Sequence, residues 1–189
     1  MLWARRQRAV APELVLGAGA WRALASSDPR GLAAILRSGT PALPLLATAL
    51  HRHLRELPSM ENGLSFTEQM ALEMLAEKPH SLNRMFARLT YELDPLPGQG
   101  DLQVRDRVLD MESGGAAVFT RRPGLGRDGL AHPPWTDEFE ITPLGRRVLA
   151  GEVDFRSVKP RARWVGGVRV AADAPDWRWD EANRDAKLL

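Results

Sequence analysis

The sequence contains no cysteine, which excludes disulfide bonds and thiolate metal sites. It also has no apolar run near the ~18 residues that a membrane-spanning helix needs. The first residues, MLWARRQRAV, carry arginines without an apolar stretch after them, so they are not a secretory signal. Since a chain without thiols fits a reducing compartment, we expect a soluble cytoplasmic protein that has no membrane partner.

Lysine is scarce as well. Only Lys78, Lys159 and Lys187 stand among the 26 basic residues, and the others are arginines. Arginine suits phosphate recognition because its planar guanidinium donates paired hydrogen bonds, but the compositional bias of a GC-rich genome explains the same excess more simply. The formal net charge of +2 is small, so any attraction to nucleic acid must come from local patches.

No motif in the sequence specifies a reaction, since neither G-x-S-x-G nor H-E-x-x-H occurs. The string GLGRDG at residues 124–129 spells a dinucleotide-binding pattern, but Pro133 and Pro134 follow too soon for the helix that such a site requires. His51 and His53 would point about 200° apart on a helix and therefore could not bind one metal ion. We predict a non-enzymatic protein with no cofactor and no metal site.

Three helical segments fill the first sixty or so residues. In the first segment, apolar residues recur at helical spacing at Leu14, Ala18, Trp21 and Ala25. Further helix starts are indicated at Asp28 and Thr40, because each is followed by a proline that fits a first turn, and Gly39 closes the helix between them. The third segment carries a stripe formed by Leu43, Leu46, Leu50, Leu54 and Leu57.

Three more helices are indicated in the central part of the chain. Ser65 and Glu68 fit a capping box at the start of the first of them, which must end by Lys78 because Pro79 disfavours helical geometry in the residue before it. Its predicted buried stripe is Phe66, Met70, Met74 and Leu75. The next helix starts at Ser81, and a third starts with Asp101 as its cap.

A β-ribbon is predicted after these helices. A strand in AAVFT is followed by the long loop RRPGLGRDGLAHPPW and by a returning strand in DEFEI. Three helices followed by two strands around a loop is the order of a winged helix-turn-helix. The segment after the second strand resembles the end of the wing in many winged-helix regulators, through Ile141, Thr142, Gly145, Val148 and Leu149.

These patterns predict an α+β protein, mainly α with small β. We place a helical subdomain at residues 1–63, a winged-helix-like domain at residues 64–151, and a C-terminal β-hairpin extension with a tail at residues 152–189. The extension is predicted as two strands, RWVGGVRV and WRWD, around AADAPD, with a weakly helical or frayed tail from Glu181. Trp177 and Trp179 share one face of the second strand, where we expect them to cover apolar surface.

Several segments resemble a known family when they are taken in order. They are SDPRGLAAILRSGTPALPLLATALHRHLRELPSMENGLSFTEQ, PGQGDLQVRDRVLDM, LGRRVLAGEVDF, RWVGGVRV and WRWDEA. Together they resemble the C-terminal half of a bacterial family of uncharacterised proteins, whose longer members carry an N-terminal α/β domain of unknown function. Some relatives carry labels that link them to sigma-type transcription factors, which implies a nucleic-acid role. The chain departs from the family in its long RRPGLGRDGLAHPPW insertion and in the basic segment KPRARW.

The winged-helix interpretation nominates residues for DNA binding. The third helix of a winged helix commonly enters the major groove, while the wing meets the phosphate backbone. Helical projection turns Leu102, Val104, Val108, Leu109 and Met111 inward and Gln103, Asp106, Arg107 and Asp110 outward. The candidates are Gln103 and Arg107 for bases, Arg121, Arg122 and Arg127 in the wing for phosphates, and Arg84 and Arg88 for the backbone. For each of the five arginines proposed to contact phosphate or backbone, taken singly, the favoured interpretation is a solvated surface side chain.

Two functional hypotheses of different class therefore stay open. The first is a transcription-associated winged helix that binds double-stranded DNA, although the two aspartates on the outward face of the third helix repel phosphates. The second is a protein-interaction or self-association module, as a homodimer or with another domain. In that hypothesis the acidic third helix and the tryptophan-bearing C-terminal hairpin supply the contact surface.

Overall fold

The structure, a computed structural model, describes residues 11–94, 100–112, 117–130, 132, 134–158 and 161–189. The protein is α+β in these ranges. Its helices are α1 (Ala11–Leu24), α2 (Arg30–Ser38), α3 (Pro44–Leu54), α4 (Phe66–Glu77), α5 (Leu82–Arg88), α6 (Asp101–Asp110) and α7 (Pro143–Leu149). Its strands are β1 (His80–Ser81), β2 (Phe119–Arg122), β3 (Glu138–Ile141), β4 (Arg163–Val165), β5 (Val168–Val170), β6 (Trp177–Asp180) and β7 (Asp185–Leu188). Within the same ranges, no helix combines the length and the apolar character needed to cross a membrane.

Three N-terminal helices form as predicted, but the start of the third differs from its predicted position. Asp28 accepts a hydrogen bond from the backbone N–H of Arg30 at 2.9 Å, at the start of α2. Gly39 ends that helix with a φ of 82°, in the region where glycine has no steric cost. The third helix begins later than expected, at Pro44, and the Thr40 hydroxyl accepts from the backbone of Ala47 at 3.1 Å.

The capping box of α4 is present as predicted, and Met74 and Leu75 of the predicted stripe are buried. The Ser65 backbone N–H donates to the Glu68 carboxylate at 2.7 Å, and the Ser65 hydroxyl accepts from the Glu68 backbone at 3.4 Å. The side of the helix that faces the core carries Ala71, Leu72, Met74 and Leu75. Phe66 and Met70 are only partly buried. The guanidinium carbons of Arg52 and Arg55 lie 4.4 and 4.0 Å from the centre of the Phe66 ring.

The predicted β-ribbon is paired, and a third strand joins it. β2 and β3 are antiparallel, with Phe119 opposite Ile141 and Arg122 opposite Glu138. β1 pairs with the other edge of β3, so the strand order is β1-β3-β2. Sequence patterning misses β1 because two residues are too few to show alternation. Thr142 caps α7 by accepting a hydrogen bond from the backbone of Gly145 at 3.1 Å.

The C-terminal segment differs from the single hairpin expected there. β4 and β5 pair with each other around Gly166-Gly167, and β6 pairs with β7, so there are two hairpins. The tail from Glu181 is therefore not helical or frayed, since it turns back into a strand. Arg184 makes this turn possible with a φ of 48°, a conformation that sequence periodicity does not reveal.

Two hydrophobic cores hold the described residues together. One core lies between α4, α5, α6, α7 and the three-stranded sheet, and Phe139 stands at its centre. The other core is shared by α2, α3 and the two C-terminal hairpins, which are far apart in the sequence. Trp177 and Trp179 belong to this second core, as expected of residues that cover apolar surface.

Candidate functional site

Helix α6, which the winged-helix interpretation assigns to the major groove, does not present Arg107 outward. The Arg107 Nε lies 3.6 Å from a carboxylate oxygen of Glu56, and both side chains are largely buried. Leu102, in contrast, was expected inside and is 53% exposed. The helix is thus rotated from the projected orientation because Glu56, in the turn that follows α3, attracts Arg107. Helical periodicity cannot detect a partner that is distant in sequence.

Glu56 is the centre of a buried ion cluster. Its Oε1 accepts hydrogen bonds from Arg52 at 2.7 Å and from the Thr67 hydroxyl at 2.5 Å. Arg163 of β4 donates to the Glu56 backbone carbonyl at 2.8 Å. Burial by itself would raise the pKa of the Glu56 carboxyl, but the charges of Arg52 and Arg107 and the Thr67 hydrogen bond bring it below its ordinary value. The cluster therefore joins α3, α4, α6 and β4 through one ionised carboxylate.

The open side of α6 is poorly suited to a phosphate backbone. Gln103 uses its side-chain oxygen to accept a hydrogen bond from the Gly100 backbone at 2.9 Å, so it caps its own helix. Asp106 is exposed and pairs with Arg105 at 2.6 Å. With Leu102 beside them, these residues leave a surface that is apolar and weakly acidic, and phosphates are not attracted to it.

The β2–β3 ribbon, which was predicted as the wing, places two of its three candidate arginines in ion pairs. The Arg121 Nε lies 2.6 Å from the buried carboxylate of Asp137. Arg122 lies 3.1 Å from Glu138 and 3.3 Å from Glu140 on the neighbouring strand. Arg127, near the tip of the loop, is exposed. It has no carboxylate within ion-pair distance among the residues that the structure describes.

Of the two candidate arginines of α5, one is in an ion pair and the other is exposed without one in the described ranges. Arg88 donates to both oxygens of Glu77 and lies 3.4 Å from Glu92. Arg84 is exposed, and no carboxylate of the described ranges lies within ion-pair distance of it. Of the seven nominated residues, Arg84 and Arg127 are thus the two whose charged groups stay available to an external anion.

Sequence reasoning missed a cleft beside Arg84. The cleft has a volume of about 490 Å³ and lies between β1, the first turn of α5 and the base of the wing. His80 lines it and is 4% exposed, and neither of its ring nitrogens has a hydrogen-bond partner among the described residues. The sequence shows only a histidine next to a proline, which does not predict a buried position.

The apolar stripe of α1 is exposed to solvent. Leu14, Val15 and Trp21 are 62%, 72% and 69% exposed, and Ala18 and Ala25 are exposed beside them. Ala20 is the buried residue of this helix. The spacing of the stripe is helical as predicted, but the stripe faces outward. We call these five exposed residues the α1 face.

No family model, curated protein or solved structure matches this chain. The fold and the surfaces therefore define only a class, an α+β protein that carries an exposed apolar helix face. Most of the arginines proposed for DNA binding are neutralised by carboxylates of the same chain.

Proposed function

We propose that this protein is a self-associating interaction module built on a winged-helix-like unit, and that the α1 face contacts the α1 face of a second copy. The observation that carries the proposal is the exposure of Leu14, Val15 and Trp21 on one side of a helix. Contiguous apolar residues at helical spacing normally lie against another surface. The self-association alternative drawn from the sequence is therefore favoured over DNA binding, with α1 in place of the C-terminal tryptophans as the contact.

The winged-helix assignment of residues 64–151 is supported by the order of its elements. A helix, a short strand, two further helices and a two-stranded ribbon follow one another, and the first strand joins the sheet at the edge of β3. This unit has one hydrophobic core, in which α4, α5, α6 and α7 bury their apolar sides against the sheet. From the sequence resemblance, we also propose that the protein belongs to the bacterial family of uncharacterised proteins described above.

The α1 face is self-complementary about its middle residue, Ala18. When two copies of a helix pair antiparallel about this position, Val15 of one copy lies opposite Trp21 of the other, because both are three residues from Ala18. Leu14 then lies opposite Arg22, whose aliphatic stem can cover it. A twofold pair of this kind buries the same surface on both copies, as most homodimers do.

The size of the α1 face sets the expected affinity. Burying each of the three large side chains, which are about two-thirds exposed, contributes about 1–2 kcal/mol, or about 6–12 kcal/mol over two copies. The loss of translational and rotational freedom opposes this by about 4–15 kcal/mol. The net gain is therefore at most about 8 kcal/mol, so we expect a weak dimer whose dissociation constant is no tighter than about 1 µM.

Sedimentation velocity over a concentration series tests self-association. The unmodified chain should shift from monomer to dimer as its concentration rises, and Trp21→Ser should remove the shift. Leu45→Ser is the matched control, because Leu45 is an 85% exposed leucine on α3, outside the α1 face. A chain that stays monomeric at all concentrations, or a Leu45→Ser effect equal to that of Trp21→Ser, would refute the proposal.

A second candidate function, DNA binding through phosphate contacts, is favoured by the availability of Arg84 and Arg127. Binding to random duplex should weaken with salt, because displaced counterions return to the DNA. The double variant Arg84→Gln/Arg127→Gln should reduce the slope of log K against log salt by about two, or about one for each lost phosphate contact. Absence of binding at low salt would exclude this function.

A further inference from the structure

The cleft beside His80, described above, has the features of a ligand site rather than of a packing defect. Its wall contains His80, Ser81 and Arg84 from β1 and α5, and Arg122, Thr136 and Glu138 from the ribbon. The backbone of His80 is held in place because this residue pairs with Phe139 of β3. The imidazole consequently stays at the wall of the cleft instead of turning out to solvent.

The unpartnered imidazole needs an explanation. A neutral imidazole has one donor nitrogen and one acceptor nitrogen, and more than about nine in ten buried polar groups in proteins find a partner. Neither ring nitrogen of His80 does so within the described part of the chain. A ligand that occupies the cleft and forms hydrogen bonds with its wall would give this group the partner that the described residues do not supply.

The charges around the cleft favour an anion. Arg84 is exposed and lacks a carboxylate partner in the described ranges, while Arg122 is shared between Glu138 and Glu140 at 3.1 and 3.3 Å. The lining therefore keeps one uncompensated guanidinium, and Arg84 with its fork of donors matches phosphate oxygens. Burial lowers the pKa of the His80 imidazole, and the positive charges of Lys78, Arg84 and Arg88 lower it further. Among these charges, that of Arg84 lines the cleft and attracts an anion, whereas Arg88 is paired with Glu77.

We propose that this cleft binds the phosphate group of a small anionic ligand, with Arg84 as its charged contact and His80 and Ser81 as its hydrogen-bonding partners. The site is separate from the α1 face, so the proposal does not depend on self-association. It also differs from DNA binding, because a cleft of about 490 Å³ can enclose a phosphate monoester but not a duplex.

Titration of the isotope-labelled full chain with inorganic phosphate, followed through the ring nitrogen resonances of His80, tests the site directly. We expect a saturable change with a dissociation constant of about 1 mM or tighter. Sodium chloride at equal ionic strength should produce no saturable change. His132 serves as the internal control, because it is an exposed histidine bonded to Asp128 outside the cleft.

Two arginine variants decide whether the contact is specific. Arg84→Gln should weaken phosphate binding at least about tenfold, because a charge-assisted hydrogen bond is lost. Arg127→Gln removes the same charge from an exposed arginine that does not line the cleft, and it should leave binding unchanged. Ser81→Ala should weaken binding less than Arg84→Gln does, and neither substitution alters the hydrophobic core.

Three results would overturn the proposal. They are the absence of a saturable change in the His80 resonances, equal effects of Arg84→Gln and Arg127→Gln, and a response of His80 to duplex DNA without a response to phosphate. The last result would indicate that the cleft contributes to DNA binding and does not bind a small anionic ligand. Failure of the dimerisation experiment, in contrast, leaves this proposal intact, because the two experiments report on different surfaces.

Discussion

Replacing Glu56 by glutamine tests whether the buried ion cluster holds the protein together. Glu56 is 6% exposed and bears the negative charge that faces Arg52 and Arg107. Glutamine keeps the shape of the side chain and can still accept the hydrogen bond from Thr67. The substitution therefore removes charge while it changes little else.

The structure indicates how much stability the charge supplies. Arg52 would keep a second carboxylate, because its Nε lies 2.5 Å from Asp94. Arg107 would keep none, since Glu56 is the carboxylate within ion-pair distance of it in the described ranges. Removing one partner of a buried ion pair costs about 3–5 kcal/mol. Because Arg52 keeps Asp94, we expect the lower part of this range, about 3 kcal/mol.

Urea denaturation, monitored by circular dichroism, measures the loss in the free energy of unfolding. In a thermal melt, about 3 kcal/mol corresponds to a fall in Tm of about 6–12 °C for a chain of this length. Glu61→Gln is the matched control, because Glu61 is an exposed carboxylate close by in the sequence, and it should change stability by less than about 0.5 kcal/mol. If Glu56→Gln unfolds at the same urea concentration as the unmodified protein, the cluster does not stabilise the fold and the reasoning is wrong.

Further predictions concern the C-terminal hairpin and two glycines. The pKa of Asp180 is lowered to about 2 by its hydrogen bonds with Lys187 and Asn183. Because the folded pKa lies below the ordinary value of 3.8, the carboxylate stabilises the β6–β7 hairpin above that pH. This contribution should fade as the pH falls toward 2, and the decline, measured by near-ultraviolet circular dichroism, should be smaller in Asp180→Asn than in the unmodified protein. Gly145→Ala should destabilise the protein by at least about 2 kcal/mol in urea, since a Cβ there would lie 2.0 Å from the Val118 carbonyl oxygen. Gly19→Ala, where a Cβ meets no atom within 4 Å, should instead stabilise α1 by about 0.5–1 kcal/mol, and a loss of stability would contradict this.

Local signals in the sequence predicted the helices and the paired ribbon. The Ser65–Glu68 capping box, the stop before Pro79 and the Thr142 cap depend on groups a few residues apart, so the sequence contains both partners of each interaction. β1 and the second C-terminal hairpin were missed for the opposite reason. A two-residue strand is too short to show periodicity. The turn before β7 has a positive φ at Arg184, and no glycine stands at that position to signal a turn in the sequence.

The candidate sites were less predictable than the fold. The projection of α6 assigned Arg107 to the outside because it used only the residues of that helix, whereas Glu56, in the turn after α3, draws the arginine inward. Most of the other nominated arginines also have partners on neighbouring elements, and those pairings arise only when the strands and helices come together. The His80 cleft likewise exists only where β1 meets the ribbon.

The sequence by itself determined the helices and the paired ribbon, that the chain can form cores without cysteine, and that α1 carries an apolar stripe. These properties follow from interactions within one or two turns of the chain, or from composition alone. Tertiary structure decided which side of each element is exposed, which arginines keep an unshared charge, and that the α1 face lies open while the tryptophans of β6 are covered. Burial and ion pairing depend on residues far apart in sequence, and their distances are set only when the elements pack.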